Sequence, residues 1–182
     1  FIVPKGYHWN DVRAVSENVG VAIVEAFRKV ENANSENKGA CSEYLFMCGY
    51  NCAQAVFAAH ATKLGMDFDT ALKVSAPLGG GVGRMREVCG AFSACAMLDG
   101  LKNCTSDPSA TEKEKTYERV QKLAEIFKQR NGSIICRELL KIKEGSPISP
   151  APDARDANYY ATRPCAKIVE NASEIVEKYI LK

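Results

Sequence analysis

"GGGVGRMREVCGAFSACAMLDGL", residues 79–101, sets a glycine- and arginine-rich loop directly against an apolar run. The second half, Cys89–Leu101, is apolar on most sides of a 3.6-residue period, which predicts a helix buried over most of its circumference. No neighbouring segment alternates with a period of two, so other helices must bury it. The first half carries too much chemistry for a plain connector. Glycine admits positive φ and close approach of backbone. Arginine adds permanent positive charge, and Cys89 adds a thiol. Together they predict an electropositive pocket around sulfur at the start of a buried helix.

Helical patterning continues on both sides. Val12, Val15, Val19, Ala22, Ala26 and Val30 step by three and four behind Asn10 as a cap. "CSEYLFMC" (41–48) reads as a short helix ending at Gly49. "NCAQAVFAAHATKLG" (51–65) opens with Asn51 and Gln54 at capping-box spacing and stops at Gly65. "DFDTALKVSAPL" (67–78) predicts a helix ended near Pro77. Residues 106–132 form a long amphipathic pattern with Tyr117, Val120, Leu123, Ala124 and Phe127 inward and Gly132 past its end. "SIICRELL" (133–140) is a short helix with Ser133 as its cap, and the final helix turns Ile168, Val169, Ala172, Ile175, Val176 and Tyr179 to the core. Between them, "KEGSPISPAPDARDANYYATRP" (143–164) reads as a surface excursion, with a lid or partner surface as the alternative. The expected fold is all-α: a single domain over residues 1–182, a bundle of six to eight helices with the glycine-rich loop at a cysteine site.

Composition narrows the function classes. A 182-residue chain is long enough for a core without disulfide staples. Its net charge of +2 gives no case for nucleic acid or an anionic membrane, and no apolar run reaches the length of a membrane span. The first residues, "FIVPKGYHWN", show neither an initiator Met nor a signal-peptide pattern, so localisation is not legible there. Eight cysteines stand out: Cys41, Cys48, Cys52, Cys89, Cys95, Cys104, Cys136 and Cys165. In a chain this large and helical, reduced metal-binding or redox thiols fit better than a disulfide framework. That favours the cytoplasm, with an exported mature chain as the other reading. No C-x-x-C occurs, which removes thioredoxin-type motifs, zinc ribbons and c-type haem attachment. "GGGVG" is followed by no Gly-Lys-Ser/Thr and preceded by no strand, so it is neither a P-loop nor a dinucleotide fingerprint.

Four of the thiols share a placement. Cys52, Cys89, Cys136 and Cys165 each fall in the first turn of a different predicted helix. Helix starts carry unpaired N–H groups and partial positive charge, and both favour thiolate over thiol. If the four starts converge, they form a site for concentrated negative charge, such as an iron–sulfur cluster held by four thiolates. Gly80, Gly81, Gly83 and Gly90 would bring backbone amides close to it. Arg84 joins them in the candidate cofactor-binding set, and Arg86, Arg137 and Arg163 are further candidates to offset charge.

"GYNCAQAV", "LGGGVGRMREVCGA", "GSIICREL" and "RPCAKIVE" closely resemble the C_GCAxxG_C_C family of redox-active proteins. The resemblance runs from about Tyr44 to the C-terminus and leaves residues 1–43 as an N-terminal helical extension. It implies that Cys52, Cys89, Cys136 and Cys165 are the family's four dispersed cysteines, with a redox or transport association and bound iron–sulfur. One departure is that Ala94 stands where the family's Cys-Gly-Ala motif usually ends in Gly.

Three functions follow as expectations. The leading one is a redox protein binding an iron–sulfur cluster or other metal through Cys52, Cys89, Cys136 and Cys165, acting in electron transfer with a partner protein. The second is a metal-free thiol–disulfide oxidoreductase, with Cys89 and Cys136 as its catalytic thiols and Cys89 as nucleophile. The third is a non-enzymatic metal carrier or structural zinc protein. The segment "AFSACAML" could be buried within the chain or across a homodimer. Cys41, Cys48, Cys95 and Cys104 read as small packed hydrophobes, with Cys48 the best candidate for an auxiliary ligand or a partner in thiol exchange. His60 reads as a packed histidine, and residues 111–130 as a solvated helix face.

Overall fold

A computed structural model describes residues 39–182, and the helix expected over residues 12–30 lies outside them. Described helices are α1 (Ala40–Met47), α2 (Cys52–Ala61), α3 (Phe68–Ser75), α4 (Gly90–Asn103), α5 (Ala110–Asn131), α6 (Cys136–Leu139), α7 (Ala157–Thr162) and α8 (Cys165–Tyr179), with single 3₁₀ turns at Thr62–Leu64 and Ala76–Leu78. The fold is all-α, without a strand among the described residues.

The centre is α2. Its start is fixed locally: Asn51 Oδ1 accepts from the amides of Ala53 and Gln54, each at 3.0 Å, and Gln54 Oε1 accepts from the Asn51 amide at 3.1 Å. This reciprocal capping box satisfies donors that the helix itself leaves open. Every residue of α2 from Ala53 to Ala61 except Gln54 is buried. Five of those buried residues are alanine, so neighbouring backbones approach closely, and α1, α3, α4 and α8 all pack on it. The sequence pattern gave the deepest burial to the helix after Cys89. That helix, α4, buries Gly90, Ala91, Phe92, Ala94, Cys95, Leu98 and Asp99 but leaves an outer side, so the central position belongs to α2.

The long helix α5 closes the core from its C-terminal half. Leu123 and Phe127 are buried, with the Phe127 ring edge-on to Phe92 at 5.5 Å. Tyr117, expected inward, is 60% exposed. Its turn extends past the neighbours, so the amphipathic stripe outruns the core that covers it. Helix α8 lays Ile168, Val169, Ala172, Ile175 and Val176 against α1, α2, α4 and α5.

Polar groups in this core are paired. Ser42 Oγ lies 3.1 Å from Ser173 Oγ, which meets His60 Nε2 at 2.7 Å. His60 Nδ1 lies 3.4 Å from Glu177, and Glu177 accepts from Lys63 at 2.8 Å. The chain ties α1, α2 and α8 together and makes His60 a packed residue. Buried Asp99 is held by Arg119 at 2.9 Å and by Asn103 at 2.8 Å.

Candidate functional site

Two local devices bring distant cysteines together. The first is a left-handed turn. Gly80, Gly81, Val82, Gly83 and Arg84 follow one another at φ values of 65, 72, 56, 55 and 65°, and Arg86 adds 66°. L-residues avoid this region and glycine does not, which explains three glycines among those five residues. The turn closes on itself through Gly83 N–H to Pro77 O (2.7 Å), Arg86 N–H to Gly80 O (3.1 Å) and Glu87 N–H to Gly81 O (3.1 Å). The second device is one antiparallel bridge between Val88 and Ile135. Cys89 N–H donates to Ile134 O at 2.8 Å and Cys136 N–H to Glu87 O at 2.7 Å. Two residues of bridge leave no period-two pattern to read in a sequence.

As a result, Cys52, Cys89, Cys136 and Cys165 line one cavity of about 60 Å³, well above the roughly 10–15 Å³ that a single water needs. Cys52, Cys136 and Cys165 are the first residues of α2, α6 and α8, and Cys89 is the N-cap of α4. Ser133, expected as the cap of α6, instead accepts from the Ile135 amide at 2.9 Å and bonds Glu138. Ile135 takes the cap position, one residue before Cys136.

Of the other residues expected here, Gly80 and Arg86 line the cavity. Gly81 sits behind it: a Cβ there would fall 2.7 Å from the Cys136 Cβ and 2.7 Å from the Glu87 amide nitrogen. Gly90 is equally constrained, since a Cβ would fall 2.8 Å from Cys52 Sγ and 2.7 Å from Leu78 O. Gly83 has open space around it and does not touch the site. Arg84 turns away to Ser149 O and Asp153, and Arg137 turns to Glu87 at 3.0 Å. Ala94 is fully buried on α4, the methyl accommodated within the core. Cys48, Cys95 and Cys104 are outside the lining; Cys95 faces Ala172 O, and Cys104 lies near Thr116 and Arg119. Cys52, Cys89, Cys136 and Cys165 are all reduced thiols.

Two parts of the site come from the segment read as a surface excursion. Residues Ala157–Thr162 form α7, capped by Asp156, which accepts from the Tyr159 amide at 2.8 Å. That cap, one residue before "ANYYAT", is the signal that the sequence did offer. Arg155, Tyr159 and Arg163 cover the cavity. Arg155 stacks 4.6 Å from the Phe46 ring centre and donates to Phe46 O at 2.8 Å. Arg163 lies 4.6 Å over Tyr159. Asp153 clasps Arg84 at 2.7 Å and Arg163 at 2.8 Å, with Arg86 at 3.8 Å. The segment is thus tied down over the thiols.

The thiols differ sharply in acidity. Cys52 is lowered to about 6 by the hydrogen bond from the Cys89 thiol, working against burial and helped by the amides of Gly80, Ala53 and Ala91. Cys89, donating that bond and buried, is pushed well above its ordinary value. Burial raises Cys136, with Arg86 donating to it in opposition. Burial first, then the charges of Cys52 and Cys136, takes Cys165 to about 12. Helix starts alone would lower all four. Here burial outweighs that effect at Cys136 and Cys165, the hydrogen bond to Cys52 followed by burial does so at Cys89, and charge collects on Cys52.

The match to known families agrees with this geometry. The family model described as "Putative redox-active protein (C_GCAxxG_C_C)" matches residues 50–179. The chain belongs to the C_GCAxxG_C_C family. The matched stretch holds all four cavity cysteines and leaves out Cys41 and Cys48. No curated protein and no solved structure matches the chain. Among the described residues, no helix is long and apolar enough to cross a membrane, and no three His, Cys, Asp or Glu side chains are placed to hold a single metal ion.

Proposed function

We propose that this C_GCAxxG_C_C protein is an electron carrier that holds an iron–sulfur cluster through Cys52, Cys89, Cys136 and Cys165. The observation that carries the reading is the convergence of these four thiols, from four separate helix starts, on one cavity. The donor set suits the group: cysteine thiolates are the usual ligands of such clusters. The surroundings suit its charge. Amides of Gly80, Ala53 and Ala91 face Cys52, while Arg86, Arg155 and Arg163 supply positive charge at the wall. Glycine at 81 and 90 keeps clear the space beside Cys136 and Cys52. When bound, the cluster supplies reversible one-electron chemistry. Phe46, Leu139, Leu140, Ile168 and Tyr159 limit water at the thiols, and the Asp153 clasp holds the cover in place. The partner would be a redox protein that exchanges electrons across this cover.

The test is a set of single Cys→Ser variants purified without oxygen. Loss of iron in each of the four site variants, with wild-type iron in Cys95→Ser and Cys104→Ser, supports the assignment. Wild-type iron content in the site variants overturns it.

A second reading rests on the Cys52–Cys89 hydrogen bond itself. In a metal-free protein, the Cys52 thiolate would attack one sulfur of a partner disulfide and release the other as a thiol. Cys89, giving up its proton, would then displace the partner. The products are a Cys52–Cys89 disulfide and a partner dithiol, a balanced two-electron exchange. In this reading the attacking thiol is Cys52 rather than Cys89, because the hydrogen bond and amides concentrate charge there.

A further inference from the structure

A second cavity, of about 150 Å³, opens between Arg84 and Arg86 of the glycine turn and the segment 142–149. Arg84, Arg86, Arg137 and Lys143 line it, with Ser146 and Ser149 among its remaining walls. No Asp or Glu lines it. The whole chain carries 24 Lys and Arg against 22 Asp and Glu, so four cations around one hollow are a local excess and not a reflection of composition.

The neighbouring carboxylates only partly offset this excess. Asp153 is shared by Arg84, Arg86 and Arg163, and Glu87 pairs with Arg137 at 3.0 Å. The Lys143 ammonium has no ion pair or hydrogen bond among the described residues, the residue's own hydrogen bond being from Ser146 N–H to its backbone carbonyl at 3.2 Å. Like charges held together raise the energy of the folded chain unless an anion joins them. Two of the cations, Arg84 and Arg86, sit at φ 65 and 66°, a conformation arginine adopts at a cost. Guanidinium groups bond oxyanions through paired N–H donors, and serine hydroxyls add donors of their own.

We propose that this cavity binds a small, multiply charged oxyanion of the phosphate or sulfate type. Arg86 lines both cavities, so the anion would sit one guanidinium away from the cysteine site. The binding site does not depend on the cluster assignment and would be present with or without metal.

Calorimetric titration of the full chain with inorganic phosphate and with sulfate, against chloride and acetate at matched ionic strength, tests it. Saturable binding of phosphate or sulfate, with no counterpart for chloride or acetate, is expected. Lys143→Gln and Arg137→Gln should each weaken it by about tenfold or more. Lys143 is exposed and its ammonium unpaired, so Lys143→Glu keeps the test sound even if Arg137→Gln disturbs the fold. Glycerol phosphate in a parallel titration separates a phosphoryl group carried on an organic molecule from the free ion. Heats indistinguishable from chloride, or an affinity unchanged in Lys143→Glu, would overturn the proposal.

Discussion

The Cys89 thiol is the largest influence lowering Cys52 to about 6, although the two residues begin different helices and lie on opposite sides of the glycine turn in the sequence. In metal-free protein the reactivity of the two thiols should therefore separate with pH. Alkylation of Cys52, followed by peptide mass spectrometry, should rise with a midpoint at about pH 6. Cys165 and Cys95, both raised to about 12 chiefly by burial, should stay unreactive across the neutral range. Cys89→Ala removes the donor and should move the Cys52 midpoint to higher pH. A midpoint unaltered by that change would show that the amides alone hold the charge.

Two glycines on α4 make opposite predictions. At Gly90 a Cβ would meet Cys52 Sγ and Leu78 O, whereas at Gly100 it would meet nothing within 4 Å. Gly90→Ala should destabilise by about 1–3 kcal/mol through overpacking and lower the metal content. Gly100→Ala should stabilise by about 0.5–1 kcal/mol, because alanine loses less freedom in a helix. Urea unfolding of the two variants reads both signs.

Capped helices and cysteines at their starts were legible because those signals are local. Asn51 with Gln54 at the start of α2 and Gly132 after α5 each mark a boundary through hydrogen bonds to nearby residues. The helix-start positions of Cys52, Cys89, Cys136 and Cys165 were legible the same way. The cover was not. Arg155, Tyr159 and Asp153 act through Phe46, Arg84 and Arg163, and the contacts to Phe46 and Arg84 span more than sixty residues. The order of acidities was hidden for a related reason: helix position is written in the sequence, whereas burial of Cys89, Cys136 and Cys165 is set by the whole fold.

Acid stability should report on Glu177. The His60 hydrogen bond first, then Lys63, lowers its carboxyl from 4.5 to about 2 against the effect of burial. A depressed carboxyl stabilises the fold above its unfolded value and loses that contribution as pH falls through the folded one. Between pH 4.5 and 2 the protein should lose about 1–2 kcal/mol from this group, less than the full shift would give because the carboxylate is partly exposed and its ion pairs are screened by water. Glu177→Gln should be less stable at neutral pH and flatter across that window, measured by urea midpoints at each pH.

Asp153 should govern access more than stability. Its carboxylate is 39% exposed, and its ion pairs with Arg84 and Arg163 lie at the surface, where such pairs contribute about 1 kcal/mol or less. Asp153→Asn should leave the melting temperature nearly unchanged. It should speed labelling of the Cys52 thiolate several-fold by releasing the segment that carries Arg155 and Tyr159. Equal labelling rates would mean that the stacking of Arg155 on Phe46 holds the cover alone.

The central claim is that four dispersed cysteines hold one iron–sulfur cluster. Its most direct test is purification without oxygen, followed by a visible spectrum with iron, zinc and acid-labile sulfide analysis on the same sample. The account predicts broad visible absorption, with iron and sulfide in comparable amounts and both lost in Cys136→Ser. A colourless protein without iron or sulfide, whether it carries zinc or no metal, would contradict it.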